Sequence, residues 1–218
     1  MIADSKILIS FDLHAEMGMF KKPDINNTYL TFNMLHKPAL LGLLGAIVGL
    51  DGYKTNGEFP EYYQKLKHLF VGISPQNDDK GMFSKCMITY NNGTGFGKEG
   101  SIQNITEQIL IAPSYRCYLL LDKDNEIEQK LYDYILNYKA EYLPYFGKNE
   151  FSVWWSDVQE YPDAKPFGFD RNYKIISIFA KTNAVSGYVA KSFSRSAPTA
   201  IPFLYFERLP IGFDEIIK

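Results

Sequence analysis

The period of hydrophobic and polar positions changes several times along the chain. Lys6 to Leu13 (KILISFDL) alternates and is rich in β-formers, which predicts a strand. Residues 14 to 37 carry no period and predict a long irregular connection. Connections beyond about 12 to 15 residues are uncommon and usually functional. Pro38 then suits the first turn of a helix, and Leu40, Leu41, Leu43, Leu44, Ile47 and Val48 make that helix strongly apolar. Gly42, Gly45 and Gly49 lower its intrinsic helicity and admit a close neighbour, while Gly49 and Gly52 suit its end.

Glu61 to Phe70 predicts a second short helix leading into a strand at Leu69 to Ser74, followed by a polar turn over residues 76 to 84. Lys85 to Tyr90 and Ser101 to Ile111 flank NNGTGFGKEG, the pattern of a long two-stranded arm. Tyr115 to Leu121 predicts a strand. Asn125 to Ala140 predicts an amphipathic helix with Ile127, Leu131, Tyr134, Ile135 and Tyr138 on one stripe. Short strands are expected over Phe151 to Val158, Tyr173 to Ala180, Val185 to Lys191 and Phe203 to Glu207. The order is close to the βαββαβ of a ferredoxin-like or RRM-like α+β domain with an inserted hairpin. The expected division is an RRM-like domain over residues 1–147, its hairpin at about 82–112, and a small β-rich C-terminal part over 148–218.

Composition adds one unusual number. Of 218 residues, 46% are hydrophobic and 22% charged, as in ordinary globular proteins, but 16% are aromatic, with 16 Tyr, 16 Phe and 2 Trp. So many tyrosines suit a β-rich core, a protein interface or a base-stacking surface. With 23 basic against 25 acidic residues the net charge is −2, so no global field attracts nucleic acid. Any such site must be local or completed by partners. Charge is uneven: Arg171, Lys174, Lys181, Lys191 and Arg195 lie in a stretch free of acids, whereas Asp122 to Asp133 is acidic.

Cys86 and Cys117 lack metal-knuckle or redox spacing and read as reduced cytoplasmic thiols. The N-terminus does not read as a signal peptide, and Pro38 to Leu50 is shorter than the roughly 20 apolar residues of a membrane span. A soluble cytoplasmic protein is expected, with no cofactor, metal or small-molecule substrate.

Candidate chemistry concentrates in the connection after the first strand. Lys21 and Lys22 suit phosphates, Asn26, Asn27 and Thr28 suit sugar or base edges, and Tyr29 or Phe20 suits stacking; a solvated loop is the plainer alternative. The glycine-rich stretch around Lys98 lacks phosphate-loop spacing and reads as a hairpin tip; an arm bearing Lys85, Tyr90, Phe96 and Lys98 could still grip a strand or a neighbouring subunit. His14, His36 and His68 have no metal-motif context; each could serve as a general base in RNA cleavage, and His68 reads more simply as a packed residue. Trp154 and Trp155 would alternate faces of a strand, one in the core and the other at the surface as an interface anchor; simple packing of both is the plainer alternative. Asp122, Asp124, Glu126 and Glu128 read as acids at a helix N-terminus.

Three stretches resemble the fifth CRISPR-associated (Cas) protein family of the RAMP superfamily, in its type I-B form: FKKPDINNTYLTFNMLHKPALLGLLGAIVGL (20–50), ITEQILIAPSYRCYLLLD (105–122) and FERLPIGFDE (206–215). The resemblance implies an RRM-like RAMP domain with a β-hairpin thumb. It implies a crRNA-binding subunit that caps the crRNA 5′ handle in the Cascade surveillance complex and contacts its large and backbone subunits. Lys21 to Tyr29 and Lys37 would meet the handle, the arm with Lys85 and Lys98 would be the thumb, and Arg116 and Arg195 would add cations facing RNA. One branch of the family, in type I-C systems, cuts precursor crRNA with a tyrosine and an adjacent lysine and histidine. Here Lys67-His68 precedes the thumb and no Lys-His pair follows it. A binding subunit is therefore expected, with metal-independent endoribonuclease activity as the alternative.

Overall fold

The computed structural model describes residues 5–22, 28–77, 82–92, 103–162 and 164. Asn26, Asn27, Phe96, Lys98, Arg195 and the strands expected beyond residue 173 lie outside the described residues. In chain order the elements are β1 (Lys6–His14), β2 (Met17–Gly18), β3 (Thr28–Tyr29), α1 (Lys37–Val48), α2 (Glu61–Leu66), β4 (Phe70–Pro75), β5 (Lys85–Asn92), β6 (Gln103–Ile111), β7 (Ser114–Asp122), α3 (Glu126–Leu136) and β8 (Trp154–Tyr161). The fold is mixed α+β, built on antiparallel sheets.

The larger sheet runs β4-β7-β1-β8, every neighbouring pair antiparallel. Strand alternation puts Ile9, Phe11 and Leu13 of β1, and Tyr115, Cys117, Leu119 and Leu121 of β7, on one fully buried face. Leu40, Leu41, Leu44 and Ile47 of α1 and Leu131 and Ile135 of α3 join the same core. Each such side chain contributes about 1.5 to 3 kcal/mol by leaving water. β8 lies beyond residue 147, in the stretch expected to belong to the C-terminal part, and is hydrogen-bonded to β1 from Leu8↔Tyr161 to His14↔Trp154. A bulge interrupts that register between Ser10 and Asp12, where Asp157 takes a positive φ of 51°.

The helices begin and end on local chemistry. His36 caps α1 by accepting the Ala39 N–H at Nδ1, 3.2 Å, and the helix stops at Gly49 in the left-handed conformation. Gly45 faces α2 so closely that a Cβ there would overlap the Tyr62 side chain. Asn125 caps α3 through Ile127 N and Glu128 N. That helix ends at Leu136, short of the expected Ala140, because Tyr138 turns left-handed at φ 54° and Lys139 N returns to the Tyr134 carbonyl.

The smaller sheet centres on β6. β5 occupies one edge of it, from Lys85↔Leu110 to Asn92↔Gln103. β2 (antiparallel) and β3 (parallel) share the other edge. No helix among the described residues is long and apolar enough to cross a membrane.

Candidate nucleic-acid interface

The connection after β2 folds back on itself as a short hairpin. Lys22 N donates to Leu30 O and Phe32 N to Phe20 O, both at 2.8 Å, and Lys21 and Thr31 form an antiparallel bridge. Buried Thr31 locks the legs: its hydroxyl accepts the Phe20 N–H and donates to Phe32 O, both at 2.9 Å. The outgoing leg begins as β3, in register with Thr106 and Glu107 of β6. The ammonium of Lys21 stands 3.5 Å from the centre of the Tyr29 ring, and that of Lys22 lies 5.4 Å from Phe32. A cation seated on an aromatic face is attracted by the ring's quadrupole, which holds it in place.

The arm, β5 with β6, rises beside this hairpin. One row of its register reads Thr28, Thr106, Thr89, with the last two hydroxyls 3.0 Å apart. Met87, half exposed, and Lys85 belong to the same outward face of β5. On the other face Cys86 and Ile88 pack against the core, and Glu107 is buried. Lys21, Lys22, Thr28, Tyr29 and the arm are therefore brought together on one small sheet.

Two other expected contacts have partners within the chain. Lys37 donates to the carbonyls of Lys67 (2.9 Å) and Leu69 (2.6 Å), fixing the turn between α2 and β4, and burial lowers its pKa. Arg116 forms a two-pronged ion pair with Asp12, Nε to Oδ1 at 2.6 Å and a terminal nitrogen to Oδ2 at 2.7 Å. The hydrogen bonds to Asp12 raise the guanidinium pKa above its ordinary value. That pair occupies the face of the larger sheet away from the core, with Ser74 and Ser156 in the same register row.

The histidines differ sharply. Burial draws His36 from 6.5 down to about 4, consistent with its capping role as a neutral ring. His14 is hydrogen-bonded to Ser114 Oγ (2.9 Å) and Ser156 Oγ (3.0 Å), and stacks on Trp154, which is 48% exposed. Trp155 instead donates its indole N–H to the Ile135 carbonyl. His68, expected to pack, leaves 55% of its side chain exposed and hydrogen-bonds buried Glu128 at 2.7 Å. Glu126 and Glu128 stand in the first turn of α3, as expected of an acid-decorated helix end, and Glu128 is in addition buried, its second oxygen accepting the Asp122 N–H. Among the described residues no three His, Cys, Asp or Glu side chains are grouped to hold a metal. Cys86 and Cys117 are free thiols, and burial pushes that of Cys117 up.

Sequence reasoning overlooked Glu107 and Lys148, which with Tyr90, expected as a gripping residue of the arm, form a charged network at its foot. A clue lay in Glu107 itself, an acid on the body-facing register of a predicted strand.

No family description matches the chain, and no curated protein does. Among solved structures it is similar to one described as a CRISPR RNA-guided surveillance complex, with TM-score 0.45 and 13% identity over 65% of this chain and 58% of that one. It is similar also to a Cas protein (TM-score 0.40, 13% identity, 65% and 57% covered) and to a CRISPR-associated protein (TM-score 0.39, 10% identity, 71% and 66% covered). The chain spans less than two-thirds of each of these structures.

Proposed function

We propose that this protein is a non-catalytic, cytoplasmic RNA-binding subunit of a type I, I-B-like, CRISPR Cascade complex, capping the 5′ handle of crRNA and contacting the large and backbone subunits. The fold reading beneath it is a ferredoxin-like, RAMP-type βαββαβ domain. The larger sheet's strands, numbered in chain order, run 2-3-1-4, with the arm inserted between the second and third. The observation that carries the functional reading is the shared sheet. Lys21 on Tyr29, the threonine row and the arm all meet on β6. By strand alternation Tyr29 with the Lys21 ammonium lies on the core-facing side of that sheet and the threonine hydroxyls on its outer side. The sheet thus carries a cation, an aromatic ring and hydroxyls, groups that hold a single-stranded backbone and its bases, on its two faces. The three sequence stretches that resemble the Cas family point the same way.

The test is incubation of the purified chain with labelled precursor crRNA in EDTA, read on denaturing and native gels. Intact RNA with a gel shift, weakened in Lys21→Ala/Lys22→Ala, supports the proposal. A discrete cut at the handle boundary would replace it with an endoribonuclease. Absence of binding both alone and in the assembled complex would leave a protein scaffold.

A further inference from the structure

Glu107 stands where the arm leaves the core. Ile109 and Leu110, just below it on β6, are buried, while Asn104 above is exposed. Glu107 is nevertheless only 6% exposed. A carboxylate so placed requires partners. Its Oε1 accepts the hydroxyl of Tyr90, from the neighbouring strand β5, at 3.1 Å. Its Oε2 accepts the ammonium of Lys148 at 2.7 Å, and Lys148 comes from outside the arm. The same ammonium is 3.1 Å from Glu150 and 5.2 Å from the centre of the Tyr90 ring.

The segment that carries Lys148 is tied to the core. Tyr145 and Ser152 form a bridge, Phe146 N donates to Phe151 O, and Phe151 N donates to Lys148 O, the last two at 2.9 Å. Phe146 is fully buried, with ring edges toward Phe20 and Tyr115. Gly147 takes φ 81° and lies so close to the Met19 carbonyl that any Cβ would collide with it. On its far side Glu107 is in register with Tyr29, which bears the Lys21 ammonium. Arm and core thus meet at the Glu107 carboxylate, and the short hairpin pairs with the backbone of the same residue.

We propose that Lys148 is a positioning residue. By gripping Glu107 it sets the angle of the arm against the core and keeps the Lys21–Tyr29 pair beside it, so the surface exists before RNA arrives. The mechanical half rests on this geometry alone; the consequence for RNA rests on the proposed function. A surface already in place loses less conformational freedom on binding, so the effect falls on retention.

The test uses the full chain as wild type, Lys148→Met, Lys148→Arg and the double variant Glu107→Gln/Lys148→Met. Amide hydrogen exchange is followed in β5 and β6, with β1 and β7 as internal reference. The expected result is faster exchange in the arm of Lys148→Met, an unchanged reference, and recovery in Lys148→Arg. The double variant contains no unpaired buried carboxylate, so it reports arm exchange even where Lys148→Met fails to fold. Arm exchange equal to wild type in both Met-bearing variants would overturn the proposal. Handle dissociation is then measured across a salt series. Positioning predicts faster dissociation with an unchanged slope of log affinity against log salt. A slope shallower by about 0.7 would mark Lys148 as a direct phosphate contact and overturn its positioning role. If wild type captures no RNA, the RNA-binding reading fails, and exchange still decides whether Lys148 holds the arm.

Discussion

His36 performs a role that acid opposes. Its Nδ1 must accept the Ala39 N–H, and its burial disfavours the charged ring, which lowers the pKa from 6.5 to about 4. Between those values the unfolded chain binds a proton that the folded chain refuses. The stability from this site is therefore complete above pH 6.5 and falls as pH drops toward 4, by up to about 3 kcal/mol. His36→Asn keeps a capping acceptor and removes the titration, so urea midpoints measured from pH 7 to pH 4 should fall less steeply than in wild type. Arg116 carries a second prediction. Arg116→Ala strands the Asp12 carboxylate, whose side chain is only 9% exposed, and should cost on the order of 3 kcal/mol by urea unfolding. Arg116→Met with Asp12→Asn should cost less than the single change, the signature of a coupled pair.

At the scale of elements, the packing of α1 on α2 turns on one position. Gly45→Ala gains about 1 kcal/mol of helix propensity, yet its methyl group would overlap Tyr62. The expected outcome is a net loss of about 1 to 2 kcal/mol in chemical denaturation. Tyr62→Ala, which keeps the Cβ that the methyl meets, should not relieve it, whereas Tyr62→Gly should make the cost of Gly45→Ala smaller. The sequence announced α1, its proline start, its glycine end and the admitted neighbour, because all of these are local signals. The paired β5 and β6 were legible for the same reason: alternating runs bracket a glycine-rich stretch of sequence. Local pattern could not foresee that Glu128 answers to His68, sixty residues away, or that Glu107 answers to Lys148. Nor could a stripe of apolar residues reveal that Tyr138 leaves its helix to stack on Trp155.

For the whole molecule, the larger sheet reaches past residue 147 through β8, which covers one edge of β1. A chain ended at residue 147 would expose that edge and lose buried Phe151 and Val153, so it should lack a cooperative thermal transition by circular dichroism. The alternation of β and α segments was readable from hydrophobic period alone, whereas the strand that closes the sheet on β1 was set by pairing at long range. That placement has a consequence in time. β1 sits between β7 and β8, with partners such as Asp122 for Lys6 and Tyr161 for Leu8. During synthesis β1 emerges ahead of both its partners and must wait, rich in Ile, Leu and Phe, until roughly a hundred further residues have been made and β7 is available to pair with it. The growing chain therefore carries an apolar strand uncovered throughout that interval, and its yield in the cell should be governed by what shields the strand meanwhile.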